Sequence, residues 1–180
     1  MTTSPARILD ELLVAAARAG DRRAFGALAG RWNGKLVAHA WRLTGDPEMA
    51  RDAAQEAWVE IVRGLSRLAD ERAFPAWAYR IVSRRCARQI AAAVGRRRLA
   101  ERATAEPETE APEAGATVEA GCLRAAIAGL PASQRSAIAL FYLEEMSVAE
   151  VAVALDVPLG TVKTRLLHAR RKLREALEGD

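Results

Sequence analysis

Apolar residues recur at helical period along almost the whole chain, and no stretch alternates at the two-residue period of a strand. Asp21 is placed to cap a helix carrying Ala24, Phe25 and Leu28, and a second helix with Leu36, Ala40 and Leu43 follows, ending at Thr44-Gly45-Asp46-Pro47. A third runs from Pro47 or Glu48 toward Leu65. Ser66 to Arg72 is then a polar loop, and Phe74-Pro75 opens a long helix that reaches Arg96, Arg97 and Arg98. On that helix Trp77, Ala78, Ile81, Val82, Cys86 and Ile90 form the stripe expected to face a core. Trp77 reads there as a packing residue.

The clearest local signal lies near the C-terminus. Ser147 and Glu150 have the S-x-x-E spacing of a capping box, and Met146 with Val151 can staple it, so a helix should begin at Val148. Asp156-Val157-Pro158 breaks the pattern, and Pro158 suits the first position of a new helix, where its missing N–H is no loss. In that helix Val162, Leu166, Ala169, Leu173 and Leu177 make one buried stripe. The free faces carry Lys163, Arg165, Arg170, Arg171, Lys172 and Arg174, with Thr161 and Thr164 near the start. Two short helices joined by a tight turn, the second one basic, have the layout of a helix-turn-helix that reads duplex DNA. A solvated basic face on an ordinary helix pair has the same spacing.

Composition changes this picture in three ways. The chain has 180 residues, 51% hydrophobic but only 5% aromatic, which suits an alanine-rich, all-α protein of one or two modest domains. The net charge of +4 is unevenly placed: Arg80 to Arg102 and Lys163 to Arg174 are basic, and Glu106 to Glu119 is acidic. Between 103 and 118 the sequence is Ala, Thr, Glu, Pro and Gly with no large apolar residue before Val118, so it cannot offset its ordering entropy and should be a mobile spacer. No apolar run is long enough for a bilayer, and the polar start lacks a secretion signal, so membrane insertion is not expected and a cytoplasmic protein is. Cys86 and Cys122 form no C-x-x-C pair, and with only His39 and His168 no metal or cofactor site is expected. No nucleophile, base and stabiliser constellation points to an enzyme.

Leu130-Pro131, Arg135, Leu140, Glu150-Val151-Ala152, Leu155 and the run Gly160-Thr161-Val162-Lys163, Arg165-Leu166, Ala169-Arg170, Leu173 resemble the C-terminal domain of bacterial RNA polymerase sigma factors of the extracytoplasmic-function type. That half alone leaves an ordinary helix-turn-helix regulator open. Asp52-Ala53-Ala54-Gln55-Glu56-Ala57-Trp58 resembles the D-x-x-Q-E-x-[FW] signature of the same family, and Asp21, Ala24-Phe25, Leu28, Phe74, Trp77, Arg80 and Ile81 fit its N-terminal domain. The resemblance implies an all-α protein: sigma domain two over 8–102, an acidic linker over 103–118, and a four-helix sigma domain four with its helix-turn-helix over 119–178.

It also implies roles. Asp52, Gln55, Glu56 and Trp58 would dock on the largest subunit of core RNA polymerase. Ser66, Arg67, Asp70, Arg80, Arg84, Arg88, Arg96, Arg97 and Arg98 would hold the promoter's minus-ten element, with a single-stranded base flipped into a pocket at the loop. Thr161, Lys163, Thr164, Arg165, Arg170 and Arg171 would meet the minus-thirty-five element, the first four near base edges and the last two at phosphates. Where the family commonly has Arg-Asn and, a turn later, Asp, this chain has Ser83-Arg84 and Arg88, so charge replaces the usual base-reading set. Leu159 stands where an acidic or small residue is common. The implied partners are core RNA polymerase, promoter DNA and an anti-sigma factor, with the free protein a monomer. Other readings are a regulator that binds duplex DNA without polymerase, and a degenerate sigma-like protein that binds polymerase or an anti-sigma factor only.

Overall fold

The computed structural model describes residues 5–101, 123 and 125–178, with side chains for all of these except 97–101 and 178. The spacer expected over 103–118, and Cys122, lie outside the described residues. Every element among the described residues is helical. The N-terminal unit holds α1 (Pro5–Arg18), α2 (Arg22–Thr44), α3 (Pro47–Gly64) and α4 (Phe74–Glu101), with short 3-10 turns at Leu65–Arg67 and Glu71–Ala73. The C-terminal unit holds α5 (Ala132–Ile138), which runs on as a π turn over Ala139–Leu143, then α6 (Val148–Leu155) and α7 (Leu159–Glu178).

The helix starts follow their caps. Asp21 accepts from the backbone N–H groups of Arg23 and Ala24, and Asp46 does the same for Glu48 and Met49. Gly45, at φ +72°, ends α2 in the left-handed conformation that costs glycine least. Both halves of the capping box at Ser147 and Glu150 are formed, an arrangement worth about 1 kcal/mol. The third helix, the loop and the long helix fall where the pattern puts them. The first two predicted helices do not: Arg22 to Thr44 is one helix of 23 residues. Gly30 and Gly34 lie exposed within it, but the stripe Leu28, Trp32, Leu36, His39, Ala40 crosses them unbroken, and its burial outweighs the roughly 1 kcal/mol cost of each glycine.

The core of the N-terminal unit is aromatic at its centre. Trp32 meets Phe74 edge-on at 5.1 Å and tilts against Tyr79 at 5.6 Å, and Tyr79 meets His39 at 5.0 Å. These contacts bind α4 to α2. Ala78, Ile81, Val82 and Cys86 are buried on α4 as predicted. Ile90 is not: it is 37% exposed, and Leu177 at the end of α7 is 46% exposed, because each stripe there outruns the helices packed against it.

His39 is fully buried. Ser83 donates its one hydroxyl proton to the Ala154 carbonyl (2.8 Å), so at 2.9 Å the His39 Nε2 must be the donor to Ser83. The Nδ1 atom is left without a protein partner. Burial, aided by the Arg42 charge, holds the imidazole pKa down to about 3. The native state therefore binds fewer protons than the unfolded chain between the ordinary value of 6.5 and about 3, and stability falls as pH drops through that window. Lowering pH from 7.5 to 5.5 should cost about 1.4 kcal/mol through this group. Urea titrations at the two pH values should show that loss in the parent and not in His39→Gln.

Candidate nucleic-acid and polymerase interfaces

On α3 the buried positions Ala50, Ala53, Ala54, Ala57 and Ile61 face α2 and α4. Asp52, Gln55 and Glu56 emerge together on the opposite, exposed side, where Val59 and Val62 extend the same surface with apolar area. Glu56 is tethered at 3.1 Å to Arg85 of α4, whose guanidinium also holds Glu60 at 2.5 Å. These carboxylates, Glu60 foremost, keep Arg85 firmly protonated. Trp58 departs from the group. It is half-buried, meets Phe25 edge-on at 5.9 Å and donates its indole N–H to Asn33, so it fastens α3 to α2.

The loop between α3 and α4 borders a cleft of about 500 Å³ lined by Glu60, Arg63, Gly64, Arg67, Leu68, Ala69 and Trp77. Gly64 is required there, since a Cβ would lie 2.9 Å from the Trp77 ring. Trp77 packs against Phe74 as the sequence suggested, yet its ring is also a wall of this cleft. Arg67 lines the cleft, while Ser66 and Asp70 are exposed beside it. Asp70 caps the second 3-10 turn by accepting from the Arg72 N–H at 2.9 Å.

Arg84, Arg88 and Arg96 are exposed on α4, and no ion pair is recorded for Arg84 or Arg88 among the described residues. The side chains of Arg97 and Arg98 lie outside the described residues. Arg80 differs. It is bound to Asp156, in the turn between α6 and α7, at 2.9 Å.

The two helices after the capping box are α6 and α7. Pro158 stands one position before α7, its carbonyl accepting from Thr161 and Val162. Val162, Leu166 and Ala169 are buried, and Lys163, Thr164, Arg170 and Arg171 are exposed. Thr161 and Arg165 are half-buried, and the Thr164 hydroxyl bonds back to the Gly160 carbonyl. Arg171 reaches Glu175 at 3.5 Å. Arg170 is engaged on its own protein. Its Nε donates to the Tyr142 hydroxyl at 2.9 Å, and its guanidinium lies over the rings of Phe141 and Tyr142.

The contacts between the two units were not foreseen from the sequence. Arg7 pairs with Glu150, Lys35 with Glu144 at 2.8 Å, and Arg80 with Asp156. Burial raises the Glu150 carboxyl, but the Ser147 bonds and Arg7 outweigh it and leave its pKa lowered. Ser83 bonds the Ala154 carbonyl, and Arg135 donates to the Arg42 carbonyl at 3.0 Å. These partners are 71 to 143 residues apart, beyond any periodic signal.

Comparison with known proteins matches the sigma-70 region 2 family profile to residues 28–96 and the sigma-70 region 4 profile to residues 120–173. The chain is 31% identical to the RNA polymerase sigma-H factor of Pseudomonas aeruginosa, over 94% of each chain. It is 33% identical to the ECF RNA polymerase sigma factor SigM of Mycobacterium tuberculosis, over 93% of this chain and 84% of that one. The solved structure of CnrH in complex with the cytosolic domain of CnrY matches with a TM-score of 0.61 and 28% identity, over 96% of this chain and 99% of that one.

The contacts of Arg170 generate a test. An exposed cation over an aromatic ring contributes about 0.5–1 kcal/mol, so Arg170→Ala should lower stability by roughly that amount. Arg171→Ala, which loses only an exposed pair, should change it by less than about 0.5 kcal/mol. Urea midpoints of the two variants measure the difference.

Proposed function

The chain belongs to the sigma-70 family of RNA polymerase sigma factors, in its extracytoplasmic-function group, and it directs core RNA polymerase to promoters and promotes their opening; we propose that it divides this work among three surfaces. The first is the exposed side of α3, where Asp52, Gln55 and Glu56 dock on core polymerase, with Val59 and Val62 adding apolar contact. Trp58 supports that surface from behind. The second is the cleft beside the 66–72 loop together with Arg80, Arg84 and Arg88, which takes the minus-ten element as a single strand. The Trp77 ring and Arg67 offer a stacking face and a cation to a flipped base. The third is the start of α7, where Thr161, Lys163, Thr164 and Arg165 face the minus-thirty-five element and Arg171 meets phosphate. Arg170 holds the π turn against α7.

The observation that carries this reading is the coexistence, in one chain and in the right order, of an exposed acidic face, an open cleft with an aromatic wall beside a basic helix, and a capped helix-turn-helix. The chain contributes recognition and strand capture and is not itself an enzyme; the polymerase contributes the catalysis, and the protein works in the cytoplasm beside it. Sigma domain two spans 8–102 and sigma domain four 119–178, which contain the two matched regions. An anti-sigma factor restrains it, a reading supported by the similar CnrH, which is solved with the cytosolic domain of CnrY bound. No helix among the described residues is long and apolar enough to cross a membrane.

Two experiments test the assignment. Asp52→Arg with Gln55→Ala should weaken core-polymerase binding by tenfold or more, about 1.4 kcal/mol, with helicity unchanged. Unaltered affinity in a pull-down titration removes the docking face. On holoenzyme, Arg84→Ala with Arg88→Ala should leave closed-complex binding nearly intact and reduce permanganate-reactive thymines in the bubble. Normal melting would reduce that stripe to a solvated face.

A further inference from the structure

The loop over 66–72 is bonded mostly to itself. The Arg72 N–H donates to the Asp70 carboxylate at 2.9 Å, the Ala73 N–H to the Asp70 carbonyl at 3.1 Å and the Leu68 N–H to the Leu65 carbonyl at 3.1 Å. These bonds shape two short turns, but each closes over neighbouring residues and none fixes the loop against a helix. Leu65 and Leu68 anchor the first half by burial. The second half, from Ala69 to Arg72, has no buried side chain.

That second half is where α1 reaches it. Arg18, in the last turn of α1, pairs through its Nη1 with the Glu71 carboxylate. The two side chains are 25% and 33% exposed, so solvent screens the pair only in part. Beside the pair a cleft of about 240 Å³ separates Ile8, Leu12 and Ala15 of α1 from Asp70, Glu71 and Arg72 of the loop, so little apolar packing supports the loop on that side. The Arg18 Nε–H is buried without a protein partner. Burying that donor unpaired is unfavourable, so the arginine is not placed there for its net contribution to stability.

A brace needs a fixed base, and α1 has one. Val14 is fully buried, Leu13 and Ala17 pack against the same core, and the nearly buried Asp10 accepts from Arg31 of α2 at 2.7 Å. The loop thus lies between a fixed helix on one side and, on the other, the cleft that Arg67, Leu68 and Ala69 share with Trp77. The match to the sigma-70 region 2 profile begins at residue 28, after α1. The resemblance therefore assigns Arg18 no role.

We propose that Arg18 is a positioning residue for strand capture: through Glu71 it braces the second half of the 66–72 loop, and so holds Arg67, Leu68 and Ala69 in the shape that selects a base against Trp77. A loop ordered in advance does not give up binding energy to ordering when the strand arrives. Without the brace the cleft accepts bases less selectively, while docking on polymerase, which uses the far side of α3, is untouched. The proposal rests on the assignment of that cleft to a flipped base.

The test uses holoenzyme assembled from core polymerase and the full chain, with a pool of short single-stranded DNA of random sequence as the probe; the bound fraction is sequenced. The variants are Arg18→Ala and the exchange Arg18→Glu with Glu71→Arg, which restores an ion pair in reverse. Arg22→Ala removes an exposed charge at the start of α2 and serves as the control. All should bind core polymerase equally. Parent and control should enrich one sequence block, and Arg18→Ala should lower the base preference at a single position of it by roughly two- to fivefold, the range of one partly exposed ion pair. Hydrogen exchange at the Arg72 and Ala73 amides should quicken by a similar factor, and the exchange variant should recover both. A merely destabilised protein would instead bind less DNA with the same base choice. Unchanged preference at every position, a loss spread evenly over the block, or an exchange variant that behaves like Arg18→Ala overturns the brace. A parent that enriches no sequence strikes the strand-capture assignment itself, and the brace falls with it.

Discussion

The packing of Trp32 against Phe74 and Tyr79 fixes where α4 lies, and the proposed docking and strand-binding surfaces are placed relative to α4. Edge-on aromatic pairs are worth about 0.5–1.5 kcal/mol beyond their buried area, and they are directional, so they set the rotation of α4 as well as its position. With that rotation set, Ala78, Val82 and Cys86 turn inward, Arg84 and Arg88 outward, and Ser83 toward the C-terminal unit. Arg85 then reaches back to Glu56 and Glu60 on α3, linking the docking face to the same helix. The proposed docking face, the proposed strand-capturing arginines and the contact with the C-terminal unit thus all meet at one helix.

The C-terminal unit depends on a different device. Its α6 and α7, the proposed helix-turn-helix, are positioned by the capping box at Ser147 and Glu150 and by the left-handed Asp156 between them. The π turn over Ala139–Leu143 presents Phe141 and Tyr142 to Arg170, which fastens the long basic helix to the rest of the unit. One arginine of a basic helix therefore serves the fold, and the proposed DNA contacts fall to its neighbours. Glu150 illustrates the economy of the design: a single carboxylate completes the helix cap and receives Arg7 from the far end of the chain.

Local chemistry made much of this legible in advance. Asp21, Asp46, Gly45 and the Ser147–Glu150 box mark helix ends through bonds to backbone only a few residues away, and the structure forms each of them. Periodicity gave the buried faces of α4 and α7, but not where those faces lose their neighbours, as at Ile90 and Leu177. Two helices were expected where α2 is one; the groups Ala24, Phe25, Leu28 and Leu36, Ala40, Leu43 are joined into a single stripe by Trp32. The docking signature grouped Trp58 with Asp52, Gln55 and Glu56 by position in a motif, whereas its indole faces Phe25 and Asn33. The closure of the two units was not legible, since it is made of single polar contacts between distant residues. The resemblance to sigma factors implies the surfaces; their arrangement in one chain follows from the tertiary packing.

The central claim is that this chain gives core polymerase its choice of promoter. The most direct measurement is run-off transcription from a library of genomic fragments, comparing core polymerase with and without the protein. The account predicts discrete new start sites on a small subset of fragments, sharing two upstream sequence blocks separated by a fixed spacing. New starts spread evenly over all fragments, or no starts above core polymerase alone despite demonstrated binding to it, would contradict it.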